Sequence, residues 1–360
     1  MIGTILGSYR LLAPLGAGAT WEVHAAEDTR SGRRVAIKLL RTRPAAAPPQ
    51  GETRGPTAQA VEGIAEACGS GMPPGSRPLP DGPAEQALRA ASLIDHPNIC
   101  ALYDFGDFGG RTGVVVEALE GQPLPALLAG GALETGRLLD IGIQVADALG
   151  EAHGRGVVHG GLTADKLFVN GAGRAKVRDF GLAGLGTERS GSPAGMSAAG
   201  GGSNAAYTAP ERLRGEAFDA RADLFSFGVV LYEMATGRLP FSGATEAQVI
   251  DAVLSNEPAS PSALNPRLPI GLVQLINEAL RKDPAERRTS ATGMRHRLAE
   301  IRQAPGGLDG LLPAQHVSTG AAVYGTRPAA NRPPASLPAS PGRRPGDAPG
   351  PRSGAPPRQE

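Results

Sequence analysis

Short runs of apolar and β-branched residues separated by Gly-containing turns predict strands over Tyr9–Leu12, Trp21–Ala26 and Arg34–Leu40. The pattern then lapses. Residues 41–83 are rich in Pro, Gly and Ala and read as a linker-like insert with one short predicted helix, Thr57–Cys68. Globular patterning returns at Ala84 and holds to Arg302. Val114–Glu117 predicts a strand, and Leu138, Ile141, Val145 and Leu149 recur at helical spacing. Two further helices are predicted over Arg221–Thr236 and Leu272–Arg281.

From about Gln303 the patterning stops. Arg327–Glu360 holds ten prolines and six arginines against two acids, Asp347 and Glu360. So few large apolar groups cannot offset the entropy of ordering the segment, so residues 302–360 are expected to form a disordered Pro/Ala/Arg-rich tail. Pieces such as Arg332-Pro333-Pro334 would suit polyproline recognition.

Composition narrows the class. The 360 residues include 51 glycines and 33 prolines but remain 41% hydrophobic, enough for a core beside unfolded stretches. Net charge is +1, which gives no electrostatic case for nucleic-acid or membrane-surface binding. Two cysteines, Cys68 and Cys100, make neither a disulfide scaffold nor a four-cysteine metal site. His153 and His159 lack a third ligand nearby. The N-terminus shows no signal-peptide pattern, and the strongly apolar stretch Leu224–Tyr232 is nine residues long, far short of the ~18–20 that span a bilayer. A cytoplasmic location is expected.

Candidate chemistry begins at Leu15-Gly16-Ala17-Gly18-Ala19-Thr20-Trp21-Glu22-Val23. Glycines between strands let backbone approach phosphates, and Val23 can cover a base, although a Gly pair in a hairpin is common on its own. Val35-Ala36-Ile37-Lys38 follows, with a lysine positioned for phosphate oxygens. Lys176-Val177-Arg178-Asp179-Phe180-Gly181 places a carboxylate after a strand, which suits a magnesium ligand. Then come Tyr207-Thr208-Ala209-Pro210-Glu211, Asp223 and Arg287. Each signal is weak alone; the order and spacing together are specific.

With His96-Pro97-Asn98-Ile99, Val116-Glu117-Ala118-Leu119 and Leu239-Pro240-Phe241, this series resembles the protein kinase family, most closely the eukaryotic-like serine/threonine kinases of bacteria. The resemblance implies an α+β, two-lobe fold over residues 9–301, with a β-rich lobe to Leu119 and a helical lobe from residue 120. ATP would lie between the lobes, against Leu15, Gly16, Gly18, Val23, Ala36, Lys38, Val116, Glu117, Leu119, Phe168 and Asp179. Asp179 would hold magnesium. Glu211 and Arg287 would form a buried ion pair, and Asp223 would brace the catalytic loop. Thr187, Ser190, Ser192, Ser197 and Ser203 would lie in the activation segment as candidate phosphate acceptors.

The catalytic loop departs from that pattern. The family has His-Arg-Asp-Leu-Lys-Pro-x-Asn, and this chain reads His159-Gly160-Gly161-Leu162-Thr163-Ala164-Asp165-Lys166. Gly161 stands in place of the catalytic base and has no proton acceptor. Thr163 replaces the lysine at the transferred phosphoryl group. Lys166 replaces the asparagine that holds the second magnesium, and an ammonium cannot ligate a cation. Trp21 stands for the third loop glycine, and Asn204 for a threonine of the activation segment.

The helix before His96 carries Ala87 where the family has the glutamate that partners the lysine. Glu85, two positions away, is expected to face elsewhere, with Asp81 as the helix cap. Glu62 and Glu66 are the other candidate partners of Lys38. Three functions stay open: an ATP-binding pseudokinase using one magnesium or none and acting through protein partners; an active kinase with an atypical loop, Asp165 its nearest substitute base; and a module that binds no nucleotide.

Overall fold

The computed structural model describes residues 3–18, 20–41, 82–182 and 204–304. The chain divides into two units, Met1–Pro313 and Ala314–Glu360, and every described residue lies in the first. The predicted helix Thr57–Cys68 with Glu62 and Glu66, the activation-segment hydroxyls and the Pro/Arg-rich tail lie outside the described residues.

The three N-terminal apolar runs are neighbouring antiparallel strands. They follow β1 (Ile5–Leu6) as β2 (Tyr9–Ala17), β3 (Trp21–Asp28) and β4 (Arg34–Leu40). Helix α1 (Pro83–Ser92) precedes β5 (Leu102–Asp107) and β6 (Thr112–Glu117). The sheet runs β1-β2-β3-β4-β6-β5. Strand β2 outruns its predicted end at Leu12 and carries Gly16 inside the ladder, with a register shift between Pro14 and Gly16. An irregularity there suits a proline, which has no N–H to give.

Alternation along β4 explains how this sheet builds two interiors. Val35, Ile37 and Leu39 pack with Leu11, Phe108 and Val115 on one face. Ala36 packs with Val114 and Val116 in the larger core on the other. Gly113 in β6 lets the strands and the Phe108 ring approach closely. A methyl added there would lie 2.9 Å from Leu39 Cδ2, the Lys38 carbonyl oxygen and Phe108 Cδ2. Gly113→Ala is therefore expected to cost about 1–3 kcal/mol through overpacking, seen as a lower denaturant midpoint at unchanged slope.

The second lobe is helical. After β7 (Gln122–Pro123) and α2 (Leu124–Leu128) comes α3 (Thr135–Gly154), with Leu138, Ile141, Val145 and Leu149 all buried as their spacing predicts. The Glu134 carboxylate starts it, accepting from the amides of Gly136 at 2.8 Å and Arg137 at 3.0 Å. Two short strands, β8 (Leu167–Val169) and β9 (Ala175–Val177), complete a three-stranded sheet with β7.

Further along are α4 (Pro210–Leu213), α5 (Ala220–Thr236), α6 (Glu246–Ser255), α7 (Pro261–Leu264), α8 (Ile270–Ala279) and α9 (Ala291–Gln303). Helix α5 is capped by Asp219, ends at Gly237 with φ +70°, and is buried all round. That explains its apolar sequence without a membrane; among the described residues no helix is long and apolar enough to cross one. A β-rich lobe and a helical lobe are thus joined through residues 118–121, the architecture the sequence predicts.

Candidate functional site

The cleft has an apolar roof. Ladder register sets Val23 opposite Lys38, and Ala36 opposite Val116. Since Ala36 and Lys38 are two residues apart, all four side chains share one face of the sheet. The glycine turn is tied down at its edge. Gly18 N donates to the Trp21 carbonyl at 2.8 Å, Arg41 Nη1 donates to the Gly18 carbonyl at 2.9 Å, and Arg41 N donates to the Thr20 carbonyl at 2.8 Å. Leu15 is exposed beside it.

At the back of the roof, Glu117 N donates to the Ala101 carbonyl at 2.9 Å, and Lys176 Nζ reaches the Glu117 carboxylate at 2.7 Å. Leu119 packs on the core. Cys100 is buried near the Glu117 carbonyl, and burial pushes its thiol up to about 12. That thiol stays protonated and unreactive.

The floor holds the loop of residues 159–166. Buried Leu162 and Leu167 fix its register on either side of the helical turn Ala164–Lys166. Asp223, fully buried at the start of α5, accepts from the His159 and Gly160 amides and contacts His153 Nε2, each at 2.8 Å. Burial pushes His159 below its ordinary range; its ring lies edge-on to Phe180, centroids 4.8 Å apart, with Nε2 2.9 Å from the Arg178 carbonyl oxygen. His159 is a packing residue. Gly161 is exposed, and a Cβ built there meets nothing within 4 Å. Thr163 Oγ1 donates to Asp165, whose other oxygen accepts from Arg178 Nη2 at 3.2 Å.

Charge in the cleft converges on Asp179. Its backbone has φ 77°, a left-handed conformation that Asp tolerates better than most residues. Lys38 Nζ donates to Asp179 Oδ1, Lys166 Nζ donates to Oδ2 at 2.8 Å, and Arg178 Nε lies 3.8 Å from Oδ2. Burial alone would raise this carboxyl, but Lys38, Lys166 and Arg178 outweigh it and hold it far below the usual carboxylate range. Lys166 turns inward instead of to solvent. The Arg178 guanidinium stands 5.1 Å over the Phe168 ring, which the sequence had assigned to nucleotide contact.

Two expectations concern the acids of helix α1. Glu85 does not meet Lys38, as its angle around the helix predicts, although it is buried at 3% exposure. It pairs instead with Arg89, one turn on, at 2.6 Å, and Ala87 stands at the family position. The residue capping α1 is Gly82, with Pro83 at the first helical position; Asp81 lies outside the described residues. Close approach explains the next motif: Gly181 has φ +77°, and a Cβ there would lie 2.9 Å from the Ala87 carbonyl oxygen, so glycine is required.

Protein kinases place magnesium between such an aspartate and the nucleotide phosphates. The residues here do not fit that ion. Both Asp179 oxygens accept from ammonium groups, one of them Lys166 at the position where the family has a metal-ligating asparagine, and no group of three or more His, Cys, Asp or Glu among the described residues could hold a metal.

Below the loop the framework is intact. Arg287 donates to both oxygens of Glu211, at 2.7 and 2.9 Å, in full burial. Sequence reasoning missed Arg212, whose Nη1 donates to the Gly160 carbonyl and whose guanidinium stacks 4.6 Å over Phe218. A charged residue following Pro210-Glu211 carries no motif signal of its own.

Against known proteins, a family model for the protein kinase domain matches residues 84–299. The chain belongs to the protein kinase family, and its relatives are of the bacterial serine/threonine type. Serine/threonine-protein kinase pkn2 of Myxococcus xanthus is 30% identical over 335 residues, covering 89% of this chain and 37% of the relative. PknD of Mycobacterium tuberculosis is 32% identical over 295 residues, 81% of this chain and 39% of that protein. PrkC of Bacillus subtilis is 30% identical over 291 residues, 81% and 40%. The chain thus spans about two-fifths of the length of these relatives. Among solved structures, the PknI kinase domain of Mycobacterium tuberculosis superposes with a TM-score of 0.58 at 22% identity, over 83% of this chain and 98% of that one, a likeness of fold.

Proposed function

We propose that this serine/threonine kinase domain, taken as residues 9–301, binds ATP but transfers its γ-phosphate poorly, and regulates protein partners in the cytoplasm through its conformation. The observation that carries the reading is position 161. A hydroxyl nucleophile needs an acceptor for its proton in the transition state, and Gly161 leaves open space there. Asp165 does not supply it, because Thr163 and Arg178 occupy its oxygens. Nucleotide binding is supported by the apolar roof of Val23, Ala36 and Val116 and by the cations beneath it.

An occupied and an empty cleft would differ in lobe closure, and a partner that distinguishes the two would read nucleotide state. The second reading, an active kinase with an unusual loop, draws on the relatives named as serine/threonine kinases and on Asp165, which stays ionised and half exposed.

Two measurements separate these readings. Incubation with radiolabelled ATP and Mg²⁺ is expected to give no autophosphorylation above a Lys38→Met control. ATP at about 100 times its dissociation constant should add about 2.7 kcal/mol to stability, raising Tm by several degrees. Robust transfer sensitive to Lys38→Met would establish the active kinase, and an unmoved Tm the module that binds no nucleotide.

A further inference from the structure

We propose that the cleft takes its nucleoside triphosphate without a divalent cation, the Lys166 ammonium standing where a metal ion would neutralise the phosphates. This rests on the nucleotide-binding reading and specifies its chemistry.

The charge balance comes first. Among the described residues Lys38, Lys166 and Arg178 face two carboxylates, Asp165 and Asp179, so this cluster carries one surplus positive charge. The family's helix acid would have cancelled it. Here that position is Ala87, and Glu85 is engaged by Arg89. A tetra-anionic triphosphate meets attraction in this cluster. A divalent cation meets three positive groups and a carboxylate whose two oxygens are already taken, and any ammonium it displaced would remain close enough to repel it.

Donor capacity points the same way. An ammonium carries three N–H groups. Lys166 spends one on Asp179 at 2.8 Å, and Asp165 at 3.7 Å is beyond hydrogen-bond length, so donors remain for phosphate oxygens. Arg178 Nε is buried with no hydrogen-bond acceptor among the described residues. Access is also suitable. The Lys166 and Arg178 side chains are 26% and 25% exposed, so a ligand can reach both, while Lys38 lies deeper. The roof of Val23, Ala36 and Val116 gives the base an apolar surface, which favours a nucleotide over a bare phosphate chain.

The test is calorimetric titration of the full chain with ATP, once in EDTA and once with excess Mg²⁺, repeated for Lys166→Asn and Lys166→Gln. Wild-type protein is expected to bind in EDTA at least as tightly as in Mg²⁺. Both variants should lose about tenfold in EDTA, equivalent to about 1.4 kcal/mol, and Lys166→Asn should recover in Mg²⁺ because its amide oxygen can face the ion. Unliganded melting temperatures check that the variants fold, and the wild-type arm decides alone where one does not. Binding that appears only with Mg²⁺, or unchanged EDTA affinity in folded Lys166 variants, overturns the proposal and leaves the nucleotide-binding reading standing. No binding under either condition overturns both.

Discussion

Gly161→Asp combined with Lys166→Asn is expected to raise magnesium-dependent phosphotransfer by about 10²–10⁴-fold, the usual contribution of a positioned general base. The structure permits the change. A Cβ at 161 meets nothing within 4 Å, and the positive φ of this segment, 64°, belongs to Gly160. Replacing Lys166 frees an Asp179 oxygen and puts an oxygen ligand at position 166. The gain should exceed the sum of the single changes, since base and metal act as a unit. Lys38→Met in the same background should return the rate to baseline. The double variant is expected to stay below the ~1–100 s⁻¹ of typical kinases, because among the described residues no helix acid pairs with Lys38. Incorporation of labelled phosphate measures all of this, and a double variant no faster than the wild type would place the limit outside the loop.

The largest stability effect is expected at Arg287→Ala. All five guanidinium N–H groups are used: Nε donates to the Arg281 carbonyl at 2.8 Å, Nη1 to Glu211 and the Arg221 carbonyl, and Nη2 to Glu211 and the Lys282 carbonyl. The cation also lies 5.1 Å over the Phe225 ring. Removing it leaves the Glu211 carboxylate buried without its counter-charge, a loss of about 3–5 kcal/mol. At about 2–4 °C per kcal/mol for domains of some 150–250 residues, thermal unfolding should move down by roughly 6–20 °C. Arg287→Lys should recover little, because one ammonium cannot reproduce a five-donor fork. A shift under about 2 °C for Arg287→Ala would show that this pair does not hold α4 to the helical core.

Much of this was legible in the sequence because local pattern and tertiary role coincide. The apolar spacing of α3 is the spacing of its buried face, and Asp223, Glu211 and Arg287 sit in motifs whose partners follow from the kinase resemblance. Strand β5 was not legible: its inward positions include Asp104, satisfied by the Tyr9 hydroxyl at 3.2 Å, so the apolar alternation is broken. Helix α9 is rich in charge, yet Ala291, Met294 and Leu298 mark a buried face at three- and four-residue spacing that a closer count would find.

Within the site, the helical angle of Glu85 set it apart from Lys38 but did not name its partner. Counting residues around a helix gives an angle but not which other side chains compete for a carboxylate, and Arg89 one turn on takes it. The inward turn of Lys166 was equally hidden, since it depends on Asp179 coming within 2.8 Å across the cleft.

The Asp223 brace has a broader consequence. It grips the loop through the peptide nitrogens of residues 159 and 160, groups that every sequence without proline supplies there. Contour and reactivity are therefore encoded separately in this molecule. Side chains along this loop can be exchanged without loosening the scaffold that holds it.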